Sequence, residues 1–322
     1  MTGTAATGPA IGSVPAGDGS TGRRRALTRL GHAARIALGA VFLAAGALKI
    51  VDVAEFARQT ASYGLIGPRL AAVIAPGLIA LEIALAAALL AGCHVRVAAI
   101  VTGLLLAFFI ALEGWGIMQG RIESCGCFGA YVQRTPQEVI LEDLLFTALA
   151  VMVVVFLGAW EPRRHRLAAS AVAAATVATL GLAIASPRLP IDPWVTSLAV
   201  GRTVEELGLA ARLPAEVQAG GLVAILDLAD PASKDAAAAL NELAATPGLP
   251  RVLALTPSTE AEHAAFLWQA YPAFDLLTAD RPLLKRLYRR LPLYFLVRSG
   301  RVEAIYPGPR PPTADLLSSK AS

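Results

Sequence analysis

The sequence predicts an α-helical membrane bundle, four core helices plus a fifth crossing, followed by an α/β domain. Three observations predict it. Hydrophobic residues make up 56% of the chain and charged residues 16%, against roughly 45–50% and 25% in soluble proteins, and the mean hydropathy is +0.59. The apolar excess falls in blocks before about residue 187. From about residue 200 onward the pattern changes to alternating strands and helices. The net charge of +4 comes from basic residues beside apolar blocks, the pattern of membrane topology rather than of nucleic-acid binding.

Residues 1–30 read as a disordered cytoplasmic tail, because the first 22 hold almost no large apolar side chain to offset the entropy of ordering. Arg23-Arg24-Arg25 follows, but no small-residue cleavage site follows the next apolar block, so a cleaved signal peptide is not expected. Apolar stretches run at 35–52, 70–92, 96–118, 139–160 and 167–186, each near the roughly 20 residues that cross a bilayer core. The domain boundaries expected are 31–162 for the core bundle, 163–187 for a basic loop and fifth helix, 188–202 for a linker, and 203–322 for the α/β domain.

Orientation follows from basic residues. Arg23, Arg24, Arg25, Arg29 and Arg35 precede the first span, Arg96 lies between the second and third, and Arg163, Arg164 and Arg166 lie between the fourth and fifth. The alternate loops carry Arg58, Arg69, Arg121 and Arg134, partly balanced by Glu55, Glu123 and Glu138. The chain is read as a bacterial inner-membrane protein, and the positive-inside rule places its N-terminus in the cytoplasm and hence the α/β domain outside. The loop between the third and fourth spans then faces that same side.

That loop holds Cys125 and Cys127, separated by Gly126. In an oxidising compartment two such thiols stay free only if something reduces them. A disulfide across so small a ring departs from relaxed geometry, and a strained, exposed one exchanges readily with thiolates. Gly126 supplies the backbone freedom. Redox exchange, an inert structural link and metal binding are the three readings. Metal needs ligands beyond two thiolates, and His94 is expected on the opposite face, so no metal site is assigned. The third cysteine, Cys93, reads as a small apolar packing residue.

Two carboxylates are counted inside apolar blocks, Glu82 and Glu113. Charge at bilayer depth is costly, so each should face the bundle interior or a polar cavity. Glu113, near the outer end, has snorkelling as its plain explanation. Glu82, deeper, reads as a proton relay or as a partner for Lys49.

At these residues the membrane part resembles the MauE family within the DoxX-like membrane proteins. The matching positions are Leu38-Gly39, Phe42-Leu43, Ala45-Gly46, Lys49, Phe56, Tyr63, Pro68, Pro76, Glu82 and Ser124-Cys125-Gly126-Cys127-Phe128-Gly129. The resemblance implies a role in periplasmic disulfide formation or thiol redox, because MauE-like proteins serve the maturation of methylamine dehydrogenase, whose small subunit is rich in disulfides.

In the second half, strands are expected at 221–228, 251–256, 293–297 and 302–306, and helices at 231–245, 260–270 and 282–290. This order, with Leu291-Pro292 ahead of a hairpin, resembles a thioredoxin-like domain of the MauD or TlpA kind, in which Pro292 would be the cis-proline. The family's cysteine pair is missing. Asp230-Pro231-Ala232-Ser233 stands in its place, with Asp230 as helix N-cap and Pro231 in the first turn. Residues 187–322 contain no cysteine, so what the resemblance leaves is a client-binding face at Pro292, Asp230, Pro231 and Ser233, used by strand addition.

Two functions follow. One is a thiol–disulfide oxidoreductase in which Cys125–Cys127 exchanges with an extracytoplasmic client or a thioredoxin-like partner. A quinone in the bundle stays open as terminal acceptor, although no quinone motif is visible. The other is a non-catalytic, membrane-anchored assembly factor whose soluble domain holds the client. A transporter is a third, supported by Glu82 alone.

Overall fold

The computed structural model describes residues 18–119, 135–157, 165–189 and 191–318. Helix α1 (Asp18–Val51) begins ahead of the first apolar block. Residues 18–30, expected to be disordered, are therefore helical, and their run of arginine, alanine and leucine is made of strong helix formers. Asp52 interrupts the helix, with its backbone at φ −141° and its carboxylate accepting from the Glu55 N–H at 3.0 Å. That bond caps α2 (Val53–Ser62), a short helix with no counterpart among the expected elements.

Helix α3 (Pro68–Ala91) opens with proline at its first position and stops at Gly92, whose φ of 73° suits glycine. Then come α4 (Val95–Met118), α5 (Pro136–Leu157) and α6 (His165–Ala185). Among the described residues, α1, α3, α4, α5 and α6 are the five helices long and apolar enough to cross a membrane. Their outward faces carry exposed Leu104, Phe108, Val155, Val177 and Ile184, the inverse of a soluble surface.

Helix α1 packs on α3 and α5, α4 packs on α5, and α6 packs on α3. Leu38 and Phe42 interdigitate with Leu89, Leu106 and Val153 in the core. The α1–α3 crossing is close because α1 presents small residues there. A Cβ on Gly39 would stand 2.8 Å from Leu90 Cγ and 3.3 Å from the Ala86 carbonyl oxygen. Gly39→Val is accordingly expected to overpack this crossing by about 1–3 kcal/mol, read as a lower unfolding temperature in detergent. An unchanged midpoint would contradict the close packing.

A 3-10 turn (Ser186–Arg188) and α7 (Asp192–Val195) lead into the C-terminal domain. Its elements are α8 (Ala215–Gly220), β1 (Gly221–Ile225), α9 (Pro231–Ala245), β2 (Arg251–Thr256), α10 (Glu260–Ala270), β3 (Asp275–Thr278), α11 (Arg281–Lys285), β4 (Leu293–Arg298), β5 (Arg301–Pro307) and α12 (Ala314–Ser318). The strands form one mixed sheet in the order β3-β2-β1-β4-β5. The β1–β2 and β2–β3 pairs are parallel, and the β1–β4 and β4–β5 pairs are antiparallel.

Side chains alternate across the sheet. Val223, Ile225, Leu253, Leu255 and Phe295 pack against Leu284 and Leu287. Leu222, Ala224, Val252, Ala254 and Tyr294 pack under Leu240 of α9 and Phe266 of α10.

The expected α9, β2 and α10 coincide with the observed ones. The strand expected to reach residue 228 stops at Ile225, and the short exposed edge strand β3 has no counterpart among the expected elements. The helix expected over 282–290 is shorter, because Ser197 donates its N–H and its hydroxyl to the Arg286 carbonyl at 2.8 and 2.9 Å. That carbonyl is the one a continuing helix would give to residue 290.

Candidate functional site

Four ionisable side chains are buried where α1, α3, α4 and α5 meet: Lys49, Glu82, Glu113 and Asp143, each at most 5% exposed. The Lys49 Nζ donates to Glu82 Oε1 at 2.6 Å. It also lies 5.0 Å from the centre of the Phe56 ring and 5.8 Å from that of Phe109, within range of their negative faces. Glu82 thus stands as the partner of Lys49. Glu113 is enclosed by protein at 1% exposure, so it does not snorkel to an interface.

Asp143 escaped the sequence reading, which counted two carboxylates in the apolar blocks, although Glu142-Asp143 lies inside the block at 139–160. An acid within an apolar run was the available signal. Phe42, Lys49, Glu82, Phe109, Asp143 and Phe146 border a cavity of about 30 Å³. That volume admits a water. Glu82 Oε2 and Asp143 Oδ2 have no hydrogen-bond partner among the described residues.

A second buried polar cluster joins the bundle to the C-terminal domain. Lys285 donates to Asp52 Oδ2 at 2.5 Å and stands 3.6 Å from Glu55 Oε2. Arg58 Nε donates to Glu55 Oε2 at 2.9 Å. Two cations and two anions therefore balance at this joint. Burial pushes the Asp52 carboxyl above its ordinary value despite the pull of Lys285. Burial also opposes the charge of Glu55, but Lys285 and Arg58 outweigh it and hold that carboxyl below its ordinary value. The contribution of Glu55 is present above the ordinary carboxylate range and is lost as pH falls through its lowered value, while that of Asp52 has the opposite sign.

Beside it, Arg289 is 4% exposed. It donates to the carbonyls of Val51 at 3.2 Å, Ser186 at 3.0 Å and Leu189 at 2.8 Å, and to Asp192 at 3.0 Å. The guanidinium thus meets the carbonyl ends of α1 and of the turn after α6, where a cation also answers the helix dipole. None of these long-range partners had a local sequence signal.

Pro292 lines a groove of about 750 Å³ together with Pro193, Thr196, Leu287, Arg290 and Ile305. The Leu291–Pro292 peptide bond is cis. Asp230 and Pro231 are not among the groove's lining. Asp230 stands at the N-cap of α9 with Pro231 in the first turn, as expected, but its side chain makes no cap hydrogen bond. Burial and the neighbouring Asp227 raise its carboxyl.

Ser233, expected on the client face, is fully buried, and its hydroxyl accepts from the Asp227 N–H at 3.1 Å. It braces the loop after β1 and is closed to a client. Cys125, Gly126 and Cys127 lie outside the described residues. Cys93 is buried in the turn between α3 and α4.

Residues 27–161 match the family model described as methylamine utilisation protein MauE. The matched stretch contains Lys49, Glu82, Glu113, Asp143 and the Cys125-Gly126-Cys127 element, and stops short of α6 and the C-terminal domain. No curated protein matches the chain. With its five apolar helices and a MauE-like membrane part, the chain is a multi-pass membrane protein.

Proposed function

We propose that the protein is a membrane thiol–disulfide factor that assists maturation of an extracytoplasmic client, with Cys125 and Cys127 as the exchanging pair. The observation that carries this reading is the alternation of the spans. With α1, α3, α4, α5 and α6 crossing in turn, the end of α4 and the start of α5 share one end of the bundle with α2 and the C-terminal domain. Gln119 and Thr135, which flank the Cys-Gly-Cys segment in the described chain, thus stand on the side of the domain.

In one turnover the client's two thiols lose two electrons and two protons and close a disulfide, while the Cys125–Cys127 bond opens to two thiols. The reverse transfer reduces the client. The positive-inside count assigns this side to the outer face, with the N-terminus in the cytoplasm. The name of the matched family supports a client in methylamine metabolism.

The C-terminal domain is read as thioredoxin-like, a reading supported by the position of β1 between a parallel β2 and an antiparallel β4. Its part is to hold the client at the Pro292 groove. The absence of cysteine from residues 187–322 favours a second reading, in which the chain is only an anchored docking factor.

Thiol trapping of membranes across a glutathione series separates the two. A Cys125–Cys127 pair titrating above about −250 mV stands with exchange catalysts, and Cys127→Ser should then accumulate a mixed disulfide through Cys125. A pair that never oxidises, or that stays oxidised in strong reductant, leaves only the docking reading.

A further inference from the structure

We propose that the cavity between Glu82 and Asp143 is a proton-binding site, holding water and one proton shared by the two carboxylates within the bundle. The inference rests on what faces the cavity, independently of any thiol chemistry at the 120–134 segment.

Lys49 satisfies Glu82 Oε1. The remaining oxygen, Glu82 Oε2, and Asp143 Oδ2 have no partner among the described residues, and both side chains border a void of about 30 Å³. That is room for water, which needs roughly 10–15 Å³ of such space. Ionised carboxylates only accept hydrogen bonds, so two of them across a void need a donor between them. Water supplies donors. It does not supply charge balance, because one ammonium faces two carboxylates. A single added proton makes Lys49, Glu82 and Asp143 neutral together and lowers the excess of negative charge at a junction where Glu113 is buried as well, and such charge at this depth is costly.

The surrounding groups favour the same occupant. From α4, Glu113 acts on Asp143 through its charge, as does Glu142 from α5. From α2, Phe56 closes the site over Lys49, and the acids Asp52 and Glu55 are engaged by Lys285. The ammonium of Lys49 repels a metal cation. Among the described residues no group of three His, Cys, Asp or Glu could hold one. Asp143 stands seven residues into α5, roughly 10 Å along the helix at 1.5 Å per residue. The site therefore lies in the half of the bundle nearer the C-terminal domain.

The test is dicyclohexylcarbodiimide labelling of the full chain in phospholipid vesicles, mapped by peptide mass, since this reagent attacks carboxyls that carry a proton in apolar surroundings. The expected result is a label on Asp143 or Glu82 that declines as pH rises and is the same in sodium and potassium salts. In Asp143→Asn the label should disappear from both positions, because Lys49 and Glu82 then balance without a proton. Absence of label on both residues in the native chain overturns the proposal. So does protection by sodium over potassium, which assigns the cavity to a metal cation. If Asp143→Asn does not fold, difference infrared spectra of the native chain decide the matter: a protonated-carboxyl stretch that shifts in D2O is expected, and its absence overturns the assignment.

Discussion

Replacing Lys285 by methionine is expected to weaken the joint between bundle and domain by about 3–5 kcal/mol, the cost of removing one partner from a buried charge pair. Lys285 and Asp52 are each 4% exposed, and the ammonium also faces Glu55. Methionine keeps the length and the apolar stem, so the loss is mainly electrostatic. Two carboxylates then remain in the seam with Arg58 as the cation still bonded to one of them. The effect should appear as faster protease cleavage within residues 186–200 in detergent-solubilised protein, together with a lower unfolding temperature. Asp52→Asn combined with Lys285→Met should recover most of the loss, because the uncompensated charge leaves with its partner. Cleavage unchanged from the native rate would show that the joint is held by Arg289 and apolar contact alone.

Lys49→Met is expected to cost a similar 3–5 kcal/mol, in this case inside the bundle, where the carboxylates of Glu82 and Asp143 would be left without the ammonium. The matching double change, Lys49→Met with Glu82→Leu, is expected to be near neutral or stabilising, since a buried ion pair replaced by apolar residues of similar volume often is. The comparison is made by thermal unfolding in one detergent. If the double variant unfolds as early as the single one, the pair organises the packing around Phe56 and Phe109 beyond balancing charge.

The spans were legible because each apolar block is long, and length is what a bilayer demands. The core strands and α9 were legible through period-2 burial and an alanine-rich run bounded by proline. Helix α2 was not, since its ten residues carry a mixed face and its start depends on one carboxylate, Asp52, folding back on the Glu55 N–H. Glu82 and Lys49 could be singled out as charges near or within apolar sequence. Their pairing required α1 and α3 to pack, and the joint required Lys285 to meet Asp52 across 233 positions. Such contacts belong to tertiary structure and leave no local periodicity. The short edge strand β3 is mostly exposed, so it lacks the burial pattern that announces a strand.

Arg289 has a consequence for how the protein is made. Helix α1 is synthesised first, yet the carbonyl at its end, Val51 O, receives a guanidinium from a residue translated 238 positions later. The turn after α6 waits for the same side chain. During biosynthesis the membrane helices therefore emerge with an acidic, carbonyl-rich seam that only the finished domain can close. A nascent chain halted before residue 289 keeps that seam open, so closure of the joint reports that translation has passed α11.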